Sequence, residues 1–209
     1  MSWRVLVTLC SLLALVALPV SASVVFSDDM ESGTNGWTHG GYNDFWQLGD
    51  PTWTPSDAHS PSNCWATNLD GDYPSPADFW LKTPVVDLGT EGISLTFWEW
   101  CMIHQPEDQG FLSITTDGGA SWTQLATRTG VFTNWEWQQA TFDLSGYSGE
   151  AQFRFSLKSD ASGDAHGWYI DDVVVCAEPG GGPVPEVPPS LLVAGLPMMG
   201  LCLRRLRRR

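Results

Sequence analysis

Acidic and aromatic side chains are the residues of this chain that could do chemistry, and their spacing favours binding over catalysis. The four histidines, His39, His59, His104 and His166, are scattered and form no His-Glu-x-x-His zinc helix. No Gly-x-Ser-x-Gly elbow presents a nucleophile. The Glu-x-Asp-x-x-Glu run that would bring two carboxylates to one glycosidic bond is also absent. Glu99 and Glu136 form only an improvised acid pair, and a surface or network role suits them better. Tryptophan is more informative: of 12 in the chain, all but Trp3 lie beyond residue 22. Exposed indole faces stack on pyranose rings, and neighbouring acids or amides bind the hydroxyls. Trp46, Trp53, Trp98, Trp100, Trp135 and Trp137 are the candidates, with Trp98, Trp100, Trp135 and Trp137 foremost. Core filling is the competing use of each.

Charge narrows the partners. Residues 23–185 hold 23 acidic side chains against Lys82, Arg128, Arg154 and Lys158, a net of −19 that the terminal arginines mask in the whole-chain value of −14. Such a domain repels nucleic acid and anionic lipid. Its carboxylates serve solubility, and some are expected to hold Ca²⁺, which prefers oxygen ligands. Asn68-Leu69-Asp70-Gly71-Asp72 puts oxygen-bearing side chains two apart around a glycine, half of a calcium loop lacking the distal Glu. An ordinary turn is the alternative for Asp70 and Asp72.

Both ends carry processing signals. Residues 1–22 combine Arg4, an apolar run and the small residues Val20-Ser21-Ala22, the pattern of a secretory signal peptide cleaved by signal peptidase after Ala22. Residues 179–190 form a Pro/Gly linker. Residues 191–209 follow, a short apolar helix that ends in an arginine cluster. That helix is too short to span a bilayer comfortably, and the arginines would hold it with the domain outside.

Between the ends, residues 23–178 have the size of one domain. No stretch keeps a helical apolar period for ten residues, and Gly, Pro, Asn, Asp and Ser interrupt it often. Expected strands are 24–26, 45–48, 64–67, 78–81, 93–102, 110–116, 123–128, 136–143, 151–158 and 168–176. Many short strands predict an all-β antiparallel sandwich, a jelly roll. Phe153, Phe155 and Leu157 alternate onto a core face. Ile93, Leu95 and Phe97 oppose Trp98 and Trp100, so that strand is central and covered on both sides, or lines a groove. Of the cysteines, Cys64, Cys101 and Cys176 fall in the domain. Their pairing is open, with Cys64–Cys101 slightly favoured.

Several motifs carry family resemblances. The tail, with Val184-Pro185-Glu186 ahead of the apolar helix and arginines, resembles the PEP-CTERM sorting signal of Gram-negative bacteria, although Val187 stands where the second proline is expected. That resemblance implies processing by an exosortase-like enzyme, transient insertion in the inner membrane, and delivery to the cell envelope or extracellular matrix. Thr115-Thr116-Asp117-Gly118-Gly119-Ala120-Ser121-Trp122 resembles the Asp-box hairpin, a folding device without activity of its own. Phe26-Ser27-Asp28-Asp29-Met30-Glu31, Lys82-Thr83-Pro84-Val85-Val86-Asp87-Leu88, Leu95-Thr96-Phe97-Trp98 and the closing Gly167-Trp168-Tyr169-Ile170-Asp171-Asp172-Val173 resemble, in this order, MAM-like jelly rolls. Those include the domains of immune inhibitor A-type metallopeptidases and cleaved-adhesin modules. The cysteine framework of animal MAM domains is absent. In such jelly rolls a structural Ca²⁺ ties the first segment to the last strand, which implies Asp29, Glu31 and Asp172 as ligands.

The expectation is therefore a non-catalytic module, exported and displayed outside the cell, stabilised by Ca²⁺ and binding polysaccharide or an envelope component. An extracellular polysaccharide hydrolase and a purely structural coat protein are the alternatives.

Overall fold

The computed structural model describes residues 22–178. The signal peptide, the linker, the sorting motif Val184, Pro185 and Glu186, and the apolar tail helix lie outside the described residues, apart from Ala22. Within them the chain forms 13 strands: β1 Ser23–Asp28, β2 Thr38–Tyr42, β3 Gln47–Gly49, β4 Cys64–Ala66, β5 Ala77–Lys82, β6 Val86–Asp87, β7 Gly92–Ile103, β8 Gln109–Thr115, β9 Thr123–Arg128, β10 Gly130–Val131, β11 Gln138–Asp143, β12 Glu150–Ser159 and β13 Gly167–Ala177. No helix among the described residues is long and apolar enough to cross a membrane.

The strands make two antiparallel sheets, which is the expected sandwich. Sheet A runs β10-β7-β13-β4-β3, with β1 also on β13 and β11 also on β7; sheet B runs β2-β5-β12-β8-β9, with β6 also on β12. Alternation drives the packing. On β12, Phe153, Phe155 and Leu157 point inward and are fully buried, while Gln152, Arg154, Ser156 and Lys158 point out. Phe155 meets Phe97 of β7 edge-on at 5.1 Å and Trp168 of β13 at 5.4 Å, so three aromatic rings join the sheets. Each such ring contributes about 1.5–3 kcal/mol by leaving water. By contrast β13 is buried almost throughout, because loops cover the outer face of sheet A as well.

Three features differ from expectation. The two-residue β6 and β10 lie outside the expected strands, and so does β2, Thr38-His39-Gly40-Gly41-Tyr42. The glycines are needed there: a Cβ on Gly40 would press on the Trp80 ring at 3.0 Å, and Gly41, at φ +120°, lies against the β5 backbone. Cys64 and Cys101 are buried free thiols, not a disulfide. Cys101 faces the main core and Cys64 the opposite side of sheet A, with β13 between their strands. The third difference, a bulge in β13, builds the site below.

Candidate functional site

The outer face of sheet A carries a groove beside a buried acid cluster. Trp98 and Trp100 reach that face because β7 turns Phe97 and Cys101 to the core. The β3–β4 connection packs on one side, and the β10–β11 connection brings residues 132–137 to the other.

Trp53, Asp57, Trp100, Trp135, Glu136 and Trp137 line an open groove of about 460 Å³. Trp100 is its floor, only 2% exposed and set edge-on to Trp135 at 5.9 Å and to Tyr169 at 5.6 Å. Trp53 and Trp135 are each 52% exposed. The His166 ring sits near both, with centroids at 6.3 Å and 5.9 Å. Trp135 is held out by two consecutive left-handed residues, Asn134 at φ +54° and Trp135 itself at φ +68°. A bulky side chain in that region is costly and is found where the surroundings impose it. The Trp137 indole N–H donates to the Asp57 carbonyl at 3.1 Å, tying the two walls. Trp98 lies behind the groove, with the His59 ring stacked flat upon it at 3.8 Å. Trp46 is buried in the core.

The acid cluster comes from β13. Simple alternation would send Asp171 and Asp172 to opposite faces. Pairing with β7 shifts register between Asp171 and Val174, and Asp172 takes φ +48°. The bulge brings both carboxylates to His59; one ligand atom from each of the three residues lies within 4.8 Å of the others. Asp171 accepts from the Ser60 and Asp172 amides at 2.9 and 2.7 Å. Asp172 meets His59 Nδ1 at 2.6 Å and accepts from the Ser60 hydroxyl at 2.7 Å. Burial, with the nearby Asp172 and Glu31 charges adding to it, pushes the Asp171 carboxyl up to about 8. Burial first, and then Asp171, Asp50 and Glu31, likewise raises the Cys64 thiol. The site therefore disfavours a second ionised carboxylate, and a bound cation would favour one. All four oxygens of the Asp pair accept a protein hydrogen bond or face His59, and each keeps a further lone pair for a metal. Two carboxylates and an imidazole make a mixed donor set, which suits a transition ion as well as Ca²⁺.

Among the other residues expected to bind metal, Glu31 accepts from the Ser62 and Asn63 amides and the Asn63 side chain, tying the start of the domain to the β3–β4 connection. Asp29 is exposed. Its neighbour Asp28 is the buried anchor, accepting from the Met30 amide, Asn35 and the Trp37 indole. Asn68 closes its turn by accepting from the Asp70 amide and donating to the Asp72 carbonyl. Asp70 and Asp72 are exposed, and Asp72 lies 3.6 Å from His166. Glu99 is turned to the core and paired with Arg128, while Glu136 is on the outer surface, so the sheet separates these acids. The sequence reading missed His59, Ser60 and Asp171; the Asp171-Asp172 doublet was the only signal for them.

No family model matches the chain. It is 32% identical over 162 residues to Bacillopeptidase F of Bacillus subtilis (strain 168), a stretch that covers 77% of this chain and 11% of that protein. The chain thus spans only a small part of the relative's length. Among solved structures, it is similar to the K1 cleaved adhesin domain of Lys-gingipain from Porphyromonas gingivalis W83, with a TM-score of 0.50, 19% identity, and coverage of 76% of this chain and 99% of that one. A carbohydrate binding module from Cellvibrio mixtus lichenase 5A, solved with cellotriose, has a TM-score of 0.43 and 16% identity over 73% of this chain and 97% of that one. The likeness to the K1 domain agrees with the two-sheet β-sandwich described above.

Proposed function

We propose that this chain is a non-catalytic binding module, exported to the cell surface or extracellular matrix, that takes a polysaccharide chain in the tryptophan groove. The observation that carries this reading is Trp135, half exposed in a strained backbone conformation and facing an open groove with Trp53, Trp137, Asp57 and Glu136. Rigid indoles offer flat apolar area to the C–H faces of pyranose rings, and the two carboxylates accept hydrogen bonds from hydroxyls. A groove of about 460 Å³ falls within the usual range for ligand sites. The acid pair weighed for a hydrolase, Glu99 with Glu136, does not form, because Glu99 faces the core.

A divalent cation at Asp171, Asp172 and His59 belongs to the same proposal as a structural ion, with Ca²⁺ the ion implied by the MAM-like resemblance. Its role is to neutralise the buried acids that hold the β3–β4 connection against β13. Removal of residues 1–22 by signal peptidase, and exosortase-like processing near Val184, Pro185 and Glu186, complete the reading of the chain. Intact mass of the mature protein from its native envelope tests both cleavages.

A glycan array run with and without Ca²⁺, beside a reducing-sugar release assay, tests the binding reading. Retention on a defined set of glycans without new reducing ends is expected. Release of new ends overturns the non-catalytic assignment, and no retention on any glycan favours a structural coat protein.

A further inference from the structure

The opposite face of the sandwich gathers every cation of the domain that is not already paired inside it. Residues 23–185 contain four basic side chains, and Arg128 is buried against Glu99. The other three, Lys82, Arg154 and Lys158, stand on the outer face of sheet B, on the adjacent strands β5 and β12. Arg154 and Lys82 are direct cross-strand partners, and Lys158 is opposite Asp78. Asp78 is the one acid lining the open groove there, which has a volume of about 300 Å³. Its nearest approach to Lys158 is 3.9 Å with both side chains largely exposed, a weak pair.

Cross-strand placement of two like charges is unfavourable by itself. Each cation is instead seated on its own tryptophan: Lys82 Nζ lies 4.3 Å from the Trp80 ring centre, and the Arg154 guanidinium 4.2 Å from that of Trp122. The fold supports both rings. Trp80 lies against Gly40 of the neighbouring strand, and Trp122 closes the β8–β9 hairpin that Asp117 braces through Ser121 and Thr115. Among the described residues the Arg154 guanidinium donates to no protein acceptor, and its Nε is buried without a partner. Stacking leaves the terminal Nη groups of the guanidinium free for an oxyanion. Ser113, Gln124 and Ser156 line the same groove with hydroxyl and amide groups.

We propose that this face is a second binding site, separate from the tryptophan groove, and that its ligand is an acidic polysaccharide whose uronate carboxylates are taken by Arg154 and Lys82. Charge complementarity selects the ligand: in a domain of net charge −19, this face holds the three basic side chains other than Arg128. The hydroxyl and amide groups beside the cations match the ring hydroxyls of a sugar, which an acidic peptide would leave unused. Trp80 and Trp122 act by orienting the cations, since each already has a cation on its ring.

Affinity electrophoresis of the full chain in gels containing polygalacturonate or neutral galactan tests the proposal. Retardation by polygalacturonate is expected, weakening steeply with added salt. Arg154→Gln and Lys82→Gln should each reduce it at least tenfold, and Arg154→Lys, which keeps the charge but loses the fork, should restore it only in part. Trp135→Ala, in the other groove, should leave it unchanged, so failure of either site is read separately. Equal retardation of Arg154→Gln and the wild-type chain overturns the proposal. So does a concentration-dependent dimer in light scattering that Arg154→Gln abolishes while polygalacturonate binding persists, because the face would then take the acidic surface of a second copy.

Discussion

Arg128 and Glu99 form a buried ion pair that joins the two sheets. Arg128, at the end of β9 in sheet B, donates from Nε and Nη2 to the Glu99 carboxylate of β7 in sheet A at 2.7–3.0 Å. The Trp168 indole N–H of β13 donates to the same carboxylate at 2.9 Å. Arg128 also lies over the Phe132 ring at 4.1 Å. Both charges are nearly inaccessible to water, so each depends on the other for its solvation.

Glu99→Gln should therefore destabilise the fold by about 3–5 kcal/mol in urea denaturation, because it leaves Arg128 buried and uncompensated. Adding Arg128→Met to Glu99→Gln should recover a large part of that loss. The double variant has no buried charge, and the new side-chain amide oxygen can still accept from the Trp168 indole. A double-mutant cycle showing additivity would count against the pair as a unit.

Trp135 separates binding from stability. Its indole meets Trp100 and His166 edge-on and otherwise faces the groove, while its backbone is in the left-handed region. Trp135→Gly relieves about 1 kcal/mol of strain and adds a comparable entropic cost to folding. Stability should stay within about 1 kcal/mol of wild type, while affinity for a glycan identified on the array falls at least tenfold, roughly 1.4 kcal/mol. Isothermal titration and thermal denaturation on the same preparations check the two halves.

Gly167→Ala should be among the most disruptive small changes. Gly167 has φ +95°, and a Cβ there would collide with the Thr67 hydroxyl. That hydroxyl accepts from the buried Trp168 amide at 3.0 Å, so the methyl group both strains the backbone and removes a hydrogen bond. A loss of about 3 kcal/mol is expected from the two effects together. A melting temperature equal to wild type would exclude this account.

The sequence reading reached the fold because alternation is local. Phe153, Phe155 and Leu157 announce a core face from their spacing, and β12 places them there. Recognition of β2 failed because Gly40 and Gly41 serve the Trp80 ring and the β5 backbone, partners some forty residues away. Parity failed at Asp171 and Asp172 for a similar reason: a bulge changes which face a side chain takes, and no residue type in that stretch requires one. Four tryptophans of the groove were among the candidates, but spacing cannot tell a stacked indole from an open one. Only the position of His59 against Trp98 and the left-handed backbone at Trp135 distinguish them.

Asp171 makes stability depend on pH. Its carboxyl titrates near 8 in the folded protein against an ordinary value of 3.8, so between these limits the folded state binds the extra proton. Stability from this group is complete below about pH 4 and declines as pH rises through 8, by an amount on the order of a few kcal/mol. With EDTA present, the wild-type melting temperature should fall between pH 5 and pH 9 by more than that of Asp171→Asn, in which the titrating group is gone. Saturating Ca²⁺ should then raise the wild-type value most at pH 9, where the Asp171 carboxyl is ionised and an ion bound only by the native state stabilises it. The same addition should leave Asp171→Asn nearly unchanged. A wild-type melting temperature that ignores both EDTA and Ca²⁺ at pH 9 removes the ion from the proposal, and a profile parallel to that of Asp171→Asn removes the raised carboxyl.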